Sequence, residues 1–173
     1  MSQVVPKREA AVRLHLTTGE VRRGTVFLDY IDVIHRGAQT LLDKLNDDSE
    51  WFPVRSARGI EMLNRRRVAL VEPAEGLDPE LVRKDSAAVF RRESVTVQIA
   101  GDRTLAGRIA MDLPDEFSRV SDFLNFPMNF FALETERGPV LVSKWHVVSL
   151  VPHERPPAAP EPDAMDFRRG ARA

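Results

Sequence analysis

Side chains able to do chemistry are plentiful in this chain, but they are scattered. There are four histidines, 26 Asp and Glu, 25 Lys and Arg, and no cysteine. The absence of cysteine excludes disulfides, a thiolate nucleophile and thiolate-held metal. His15, His35, His146 and His153 fall in no metal-ligand spacing. Asp43, Asp47, Asp48 and Glu50 crowd one stretch without the alternating oxygen-ligand order of a calcium loop, and read as a solvated acidic surface. His35 beside Asp32 makes a proton-transfer pair at most, with no electrophilic partner in sight. No Gly-rich phosphate loop precedes a helix. We therefore expect no catalytic residue, no cofactor and no metal: the chain reads as a non-enzyme.

Two other groups point to binding. Arg65, Arg66, Arg67, Arg91 and Arg92 carry planar guanidinium forks suited to phosphate or carboxylate, and Asn129 and Lys144 join them as candidate anion or nucleic-acid contacts. The same arginines also serve as a charged edge that discourages sheet aggregation. Phe123, Phe126, Met128 and Phe130 lie in an aromatic-rich stretch that would be costly to expose together: it either closes the second barrel or fills the interface between the repeats, or, with Trp145, supplies candidate protein-interaction residues. A formal net charge of −1 gives no basic surplus of the kind that holds a phosphate backbone, so protein partners or self-association are favoured over nucleic acid.

The elements that must position these residues are short strands. Val12, Leu14 and Leu16 alternate with Arg13 and His15, the period of a strand with one buried face. Gly19 lies in the turn, and the return strand runs through Gly24, Val26 and Leu28. Gly24 sits inside the strand pattern, where a missing side chain permits strong coiling or close approach of a neighbour. Leu41, Leu42 and Leu45 predict a short helix. Strands follow at Trp51–Ser56 and Ile60–Val71, with Arg65–Arg67 interrupting the second. Residues 74–90 form a connector whose short helix starts at Asp78-Pro79.

The pattern then returns. Val95, Val97, Ile99 and Gly107 match Val12, Leu14, Leu16 and Gly24 at an offset of 83. Phe131, Gly138, Val147 and Pro152 match Phe52, Gly59, Val68 and Pro73 at an offset of 79. We expect a first small β-barrel repeat at 1–73, the connector at 74–90, a second repeat at 91–153 and a disordered Pro/Ala-rich tail at 154–173. Each repeat of about 60 residues would bury only a small core by itself.

The segments Val12–Gly24 with Asp29, Val95–Gly107, and Met128-Asn129 before Phe130-Phe131-Ala132-Leu133 resemble the Sm-like fold, one of the SH3-like barrels. Gly138–Lys144 resembles its closing strand pair. The resemblance implies a mainly β protein of two tandem small barrels with short helical insertions between the strand pairs. It also implies RNA contact through Asn129 and Lys144. The family's usual Arg-Gly is Lys144-Trp145 here and Arg65-Arg66 in the first repeat, Glu50 stands opposite Asn129, and each short helix lies between the hairpins rather than before the first strand. The expected function is a non-enzymatic scaffold or regulatory protein-interaction module that self-associates. The alternative is an Sm-like RNA or single-stranded nucleic-acid binder. Lacking a long apolar run, the chain is expected to be cytoplasmic and not in a membrane.

Overall fold

The computed structural model describes residues 6–31, 37–84, 91–111 and 119–153. The expected tail at 154–173, the His35–Asp32 pair and the end of the connector lie outside the described residues. The elements in chain order are β1 (Lys7–Leu16), β2 (Val21–Asp29), α1 (Leu41–Asn46), β3 (Trp51–Ser56), β4 (Gly59–Asn64), β5 (Val68–Pro73), α2 (Pro79–Val82), β6 (Arg91–Ile99), β7 (Arg103–Met111), α3 (Val120–Asn125), β8 (Phe130–Thr135), β9 (Gly138–Ser143) and β10 (Val147–Pro152). No helix among the described residues is long and apolar enough to cross a membrane.

All ten strands join one antiparallel sheet in the order β10-β6-β7-β8-β9-β5-β1-β2-β3-β4. The five strands β5-β1-β2-β3-β4 thus have the same order as β10-β6-β7-β8-β9. Their registers agree as well. Val12 faces Gly24 and Pro73 in the first half, and Val95 faces Gly107 and Pro152 in the second. Phe52 faces Leu63, and Phe131 faces Val142. The chain is mainly β, as the alternation predicts. The sheet is nevertheless open, because among the described pairings nothing joins β4 to β5 or β9 to β10, and β5 instead hydrogen-bonds β9 of the other half.

The break between β4 and β5 is where one expectation needs revising. Ile60–Val71 is not one strand. A single 3-10 turn at Arg65–Arg67, capped by the Asn64 side chain accepting from Arg66 N, splits it and redirects the chain. A matching turn at Lys144–His146 separates β9 from β10. Each turn lets the second strand leave its hairpin partner and pair with the first strand of its own half: β5 with β1, and β10 with β6.

Gly24 and Gly107 explain how the sheet coils. A β-carbon at Gly107 would lie 2.6 Å from Glu134 O, and one at Gly24 would overlap Val54 Cγ1 and lie 3.0 Å from Arg55 O. Only a glycine lets β2 and β7 bend this close to the following strand. The short helices cover the resulting interiors. Thr40 caps α1 in a capping box with Asp43, which orients Leu41 and Leu45 inward. In α2, Asp78 accepts from Glu80 N and Val82 seats the connector on the first core.

Two apolar cores result, and each borrows from the opposite half. The first contains Val12, Leu14, Leu28, Phe52 and Val71, and also Phe130, Ala132 and Leu141 from β8 and β9. The second contains Val95, Val97, Ile109, Phe131 and Leu133, and also Ala69 and Leu70 from β5.

Candidate functional site

The two halves meet at a seam between β5 and β9. Leu70 pairs with Val142 and Val71 with Leu141. Beside this ladder the Asn46 carboxamide at the end of α1 holds the start of β8. Its Oδ1 accepts from Asn129 N at 2.7 Å and Phe130 N at 2.8 Å, and its Nδ2 donates to Phe130 O at 2.9 Å. Strand-end N–H groups need such partners when neighbouring strands do not supply them. Further out, His146 Nε2 donates to Arg66 O at 2.7 Å, and Arg103 NH1 donates to His15 Nδ1 at 2.8 Å. The second contact places the His15 proton on Nε2, which faces Glu72 Oε2 at 3.2 Å.

The predicted interaction residues are divided by this arrangement. Phe130 is fully buried in the first core, and Phe123 is buried edge-on to Phe131 with ring centroids 5.7 Å apart. Met128 packs partly buried against the second core. Only Phe126 and Trp145 stay exposed, and the Arg66 guanidinium lies over the Trp145 ring at 5.4 Å.

The predicted anion contacts also separate. Arg65 is not a surface charge: it is buried, donates to Asp47 O and Asp47 Oδ1, and stands in a core position of its turn. Asp47 is correspondingly more than part of a solvated acidic surface. Burial alone would raise its pKa. The Lys44 hydrogen bond, the Ser49 N–H and the Lys44 and Arg65 charges outweigh that and hold it below the ordinary carboxylate range. Lys144 Nζ donates to Phe126 O at 2.5 Å, and burial lowers its pKa. Asn129 offers its backbone N–H to Asn46. Arg66 and Arg67 are exposed on the first 3-10 turn, while Arg91 pairs with Glu93. Arg92 joins Arg8, Arg83 and Arg108 around a cleft of about 680 Å³ between the halves, where Arg83 pairs with Glu134 at 2.8 Å. Of the six cations predicted as anion contacts, Arg92 alone lines this cleft, with Arg8, Arg83, Lys84 and Arg108 beside it. Among the described residues no group of three His, Asp or Glu side chains is placed to hold a metal ion.

The residues that alternation did not single out lie towards the two ends of the sheet, where β4 and β10 each have one side unpaired among the described residues. On β4 Ile60 and Met62 are exposed, as is Trp51 at the start of the adjoining β3, and on β10 Val148 and Val151 are. Strand β10, VVSLVP, carries no charge at all, although an unpaired edge is where charge normally prevents association. That missing charge was readable in the sequence, but the edge position was not. No family model matches the chain, and searches of curated proteins and of solved structures gave no match.

Proposed function

We propose that the chain is a non-enzymatic scaffold or regulatory module that binds protein through its two free sheet edges, self-association included, and that it consists of two Sm-like units of the SH3-like barrel class fused into one sheet. The observation that carries this reading is the pair of terminal strands, β4 and β10, each with one side unpaired among the described residues and with exposed apolar side chains there, at opposite ends of the same sheet. Edge strands present rows of unpaired N–H and C=O groups, and strand addition is the general way such rows are satisfied by a partner. The recurrence of strand order and register supports the two-unit reading.

Light scattering behind size-exclusion chromatography at several concentrations tests self-association. Species heavier than one chain are expected, and a strictly monomeric protein throughout would remove that part of the reading. Affinity capture from native extract with and without nuclease tests the rest: protein partners should persist after nuclease treatment.

A second reading, single-stranded nucleic-acid binding, is favoured by one feature: the exposed Trp145 ring under Arg66, a cation and an aromatic face of the kind that stacks bases. It predicts retention of uridine-rich RNA that falls steeply with added salt. No retention at low salt would eliminate it.

A further inference from the structure

The cleft between the halves is walled by both of them and by the connector. Arg8 lines it from β1, Arg92 and Arg108 from β6 and β7, and Arg83 and Lys84 from the residues just after α2. Only two carboxylates, Glu80 and Glu134, line it beside these five cations, in a chain whose formal net charge is −1. Glu134 is taken by Arg83 at 2.8 Å, and Lys84 lies 3.4 Å from Asp43. The side chains of Arg8, Arg92 and Arg108 make no hydrogen bond or ion pair among the described residues.

The first half shows what the same positions do when no ligand is to be held. There Glu9 on β1 pairs with Arg55 on β3 at 2.6 Å. At the offsets of 83 and 79 these positions become Arg92 and Glu134, the same two charges with their signs exchanged. That pair does not close, because Arg83 of the connector takes the carboxylate. The neighbouring position changes too: Thr25, opposite Arg55, becomes Arg108, opposite Glu134. Since Arg92 pairs with Ala110, Arg92 and Arg108 are diagonal neighbours on one face of the β6–β7 hairpin. Two like charges on one face repel each other, and an anion in the cleft relieves that repulsion.

At about 680 Å³ the cleft has the size of a small-molecule site, and Val82, Ile109 and Pro139 give it apolar wall. Guanidinium forks match phosphoryl oxygens two at a time, and three forks from three strands suit linked phosphoryl groups better than a single carboxylate. We propose that this cleft binds a small molecule carrying a diphosphate group on a partly apolar body, of the nucleoside diphosphate kind, with Arg8, Arg92 and Arg108 on the phosphoryl oxygens. The site lies apart from the sheet edges and goes beyond the protein-binding reading.

Calorimetric titration of the full chain with inorganic pyrophosphate, ADP and adenosine tests the site. Pyrophosphate and ADP are expected to bind, ADP the more tightly, and adenosine not to bind. Arg92→Gln and Arg108→Gln should each weaken ADP binding about tenfold, the loss of one charged hydrogen-bonding group. Arg137→Gln, in the exposed turn between β8 and β9, should leave the affinity unchanged. Without ligand, Arg92→Gln should melt no lower than the wild-type protein, because the change removes a repulsion rather than a contact. Absence of binding by both pyrophosphate and ADP would overturn the proposal. Equal weakening by Arg137→Gln would do the same, since it would mark unspecific charge attraction, and a lower melting temperature for Arg92→Gln would give that arginine a structural role instead. An oligouridine that displaces ADP and loses affinity in the same two variants would mark a polynucleotide groove and overturn the small-molecule assignment.

Discussion

Arg65 and Asp47 form the clearest single-residue contribution to stability. The guanidinium is buried, and its donors go to the Asp47 carboxylate and carbonyl, so removing the carboxylate strands a cation out of water. Asp47→Asn should cost about 3 kcal/mol of unfolding free energy, measured by urea titration at neutral pH. Asp47 is held below its ordinary value, so its contribution is fully present above the unfolded pKa of about 4 and is lost as pH falls through the lower folded value. The wild-type protein should therefore lose stability below about pH 4 more steeply than Asp47→Asn, in parallel titrations. Asn46 acts differently. Its amide serves three backbone groups of the opposite half, and Asn46→Ala should cost about 2 kcal/mol, again by urea titration.

Strands and turns are set by small local requirements. Gly107 faces backbone oxygen at a distance no β-carbon tolerates, and the obstacle is the β8 main chain rather than a flexible side-chain end. Gly107→Ala should destabilise the protein by about 1–3 kcal/mol, visible as a lowered melting temperature by circular dichroism. Thr40 closes the capping box of α1, so Thr40→Ala should cost about 1 kcal/mol by the same measurement. Much at this scale was legible in advance. The positions of Val12, Leu14 and Leu16 announced β1, Asp78-Pro79 announced α2, and Gly24 announced a close approach, because each depends on neighbours within a few residues or on a period of two. The fate of Arg65 was not legible. Three consecutive arginines read as a solvated run until a 3-10 turn rotates the first of them inward.

Across the whole molecule, the two cores exchange side chains through β5, β8 and β9, so neither half keeps its full interior without the other. Unfolding should then be a single cooperative transition. The two tryptophans lie one in each half, Trp51 on β3 and Trp145 in the turn before β10. In Trp51→Phe and Trp145→Phe variants the remaining fluorophore should report the same relative transition against the circular dichroism of its own variant. Separate midpoints for fluorescence and circular dichroism would show halves that melt independently.

The sequence alone determined the strand alternation, the turn glycines, the short helices and the recurring phase, since these are properties of side-chain order along a local backbone. Tertiary structure decided which strand lies beside which. A period of two states that a strand has a buried face but not what covers it or which edge it pairs. Only the folded sheet decides between burial and a surface for the aromatic stretch, burying Phe130 and Phe123 and leaving Phe126 exposed, and it leaves Trp51, Met62 and Val148 exposed towards its two ends. The difference is physical: burial of an apolar side chain is a relation between elements distant in the chain, whereas its place in a strand is not.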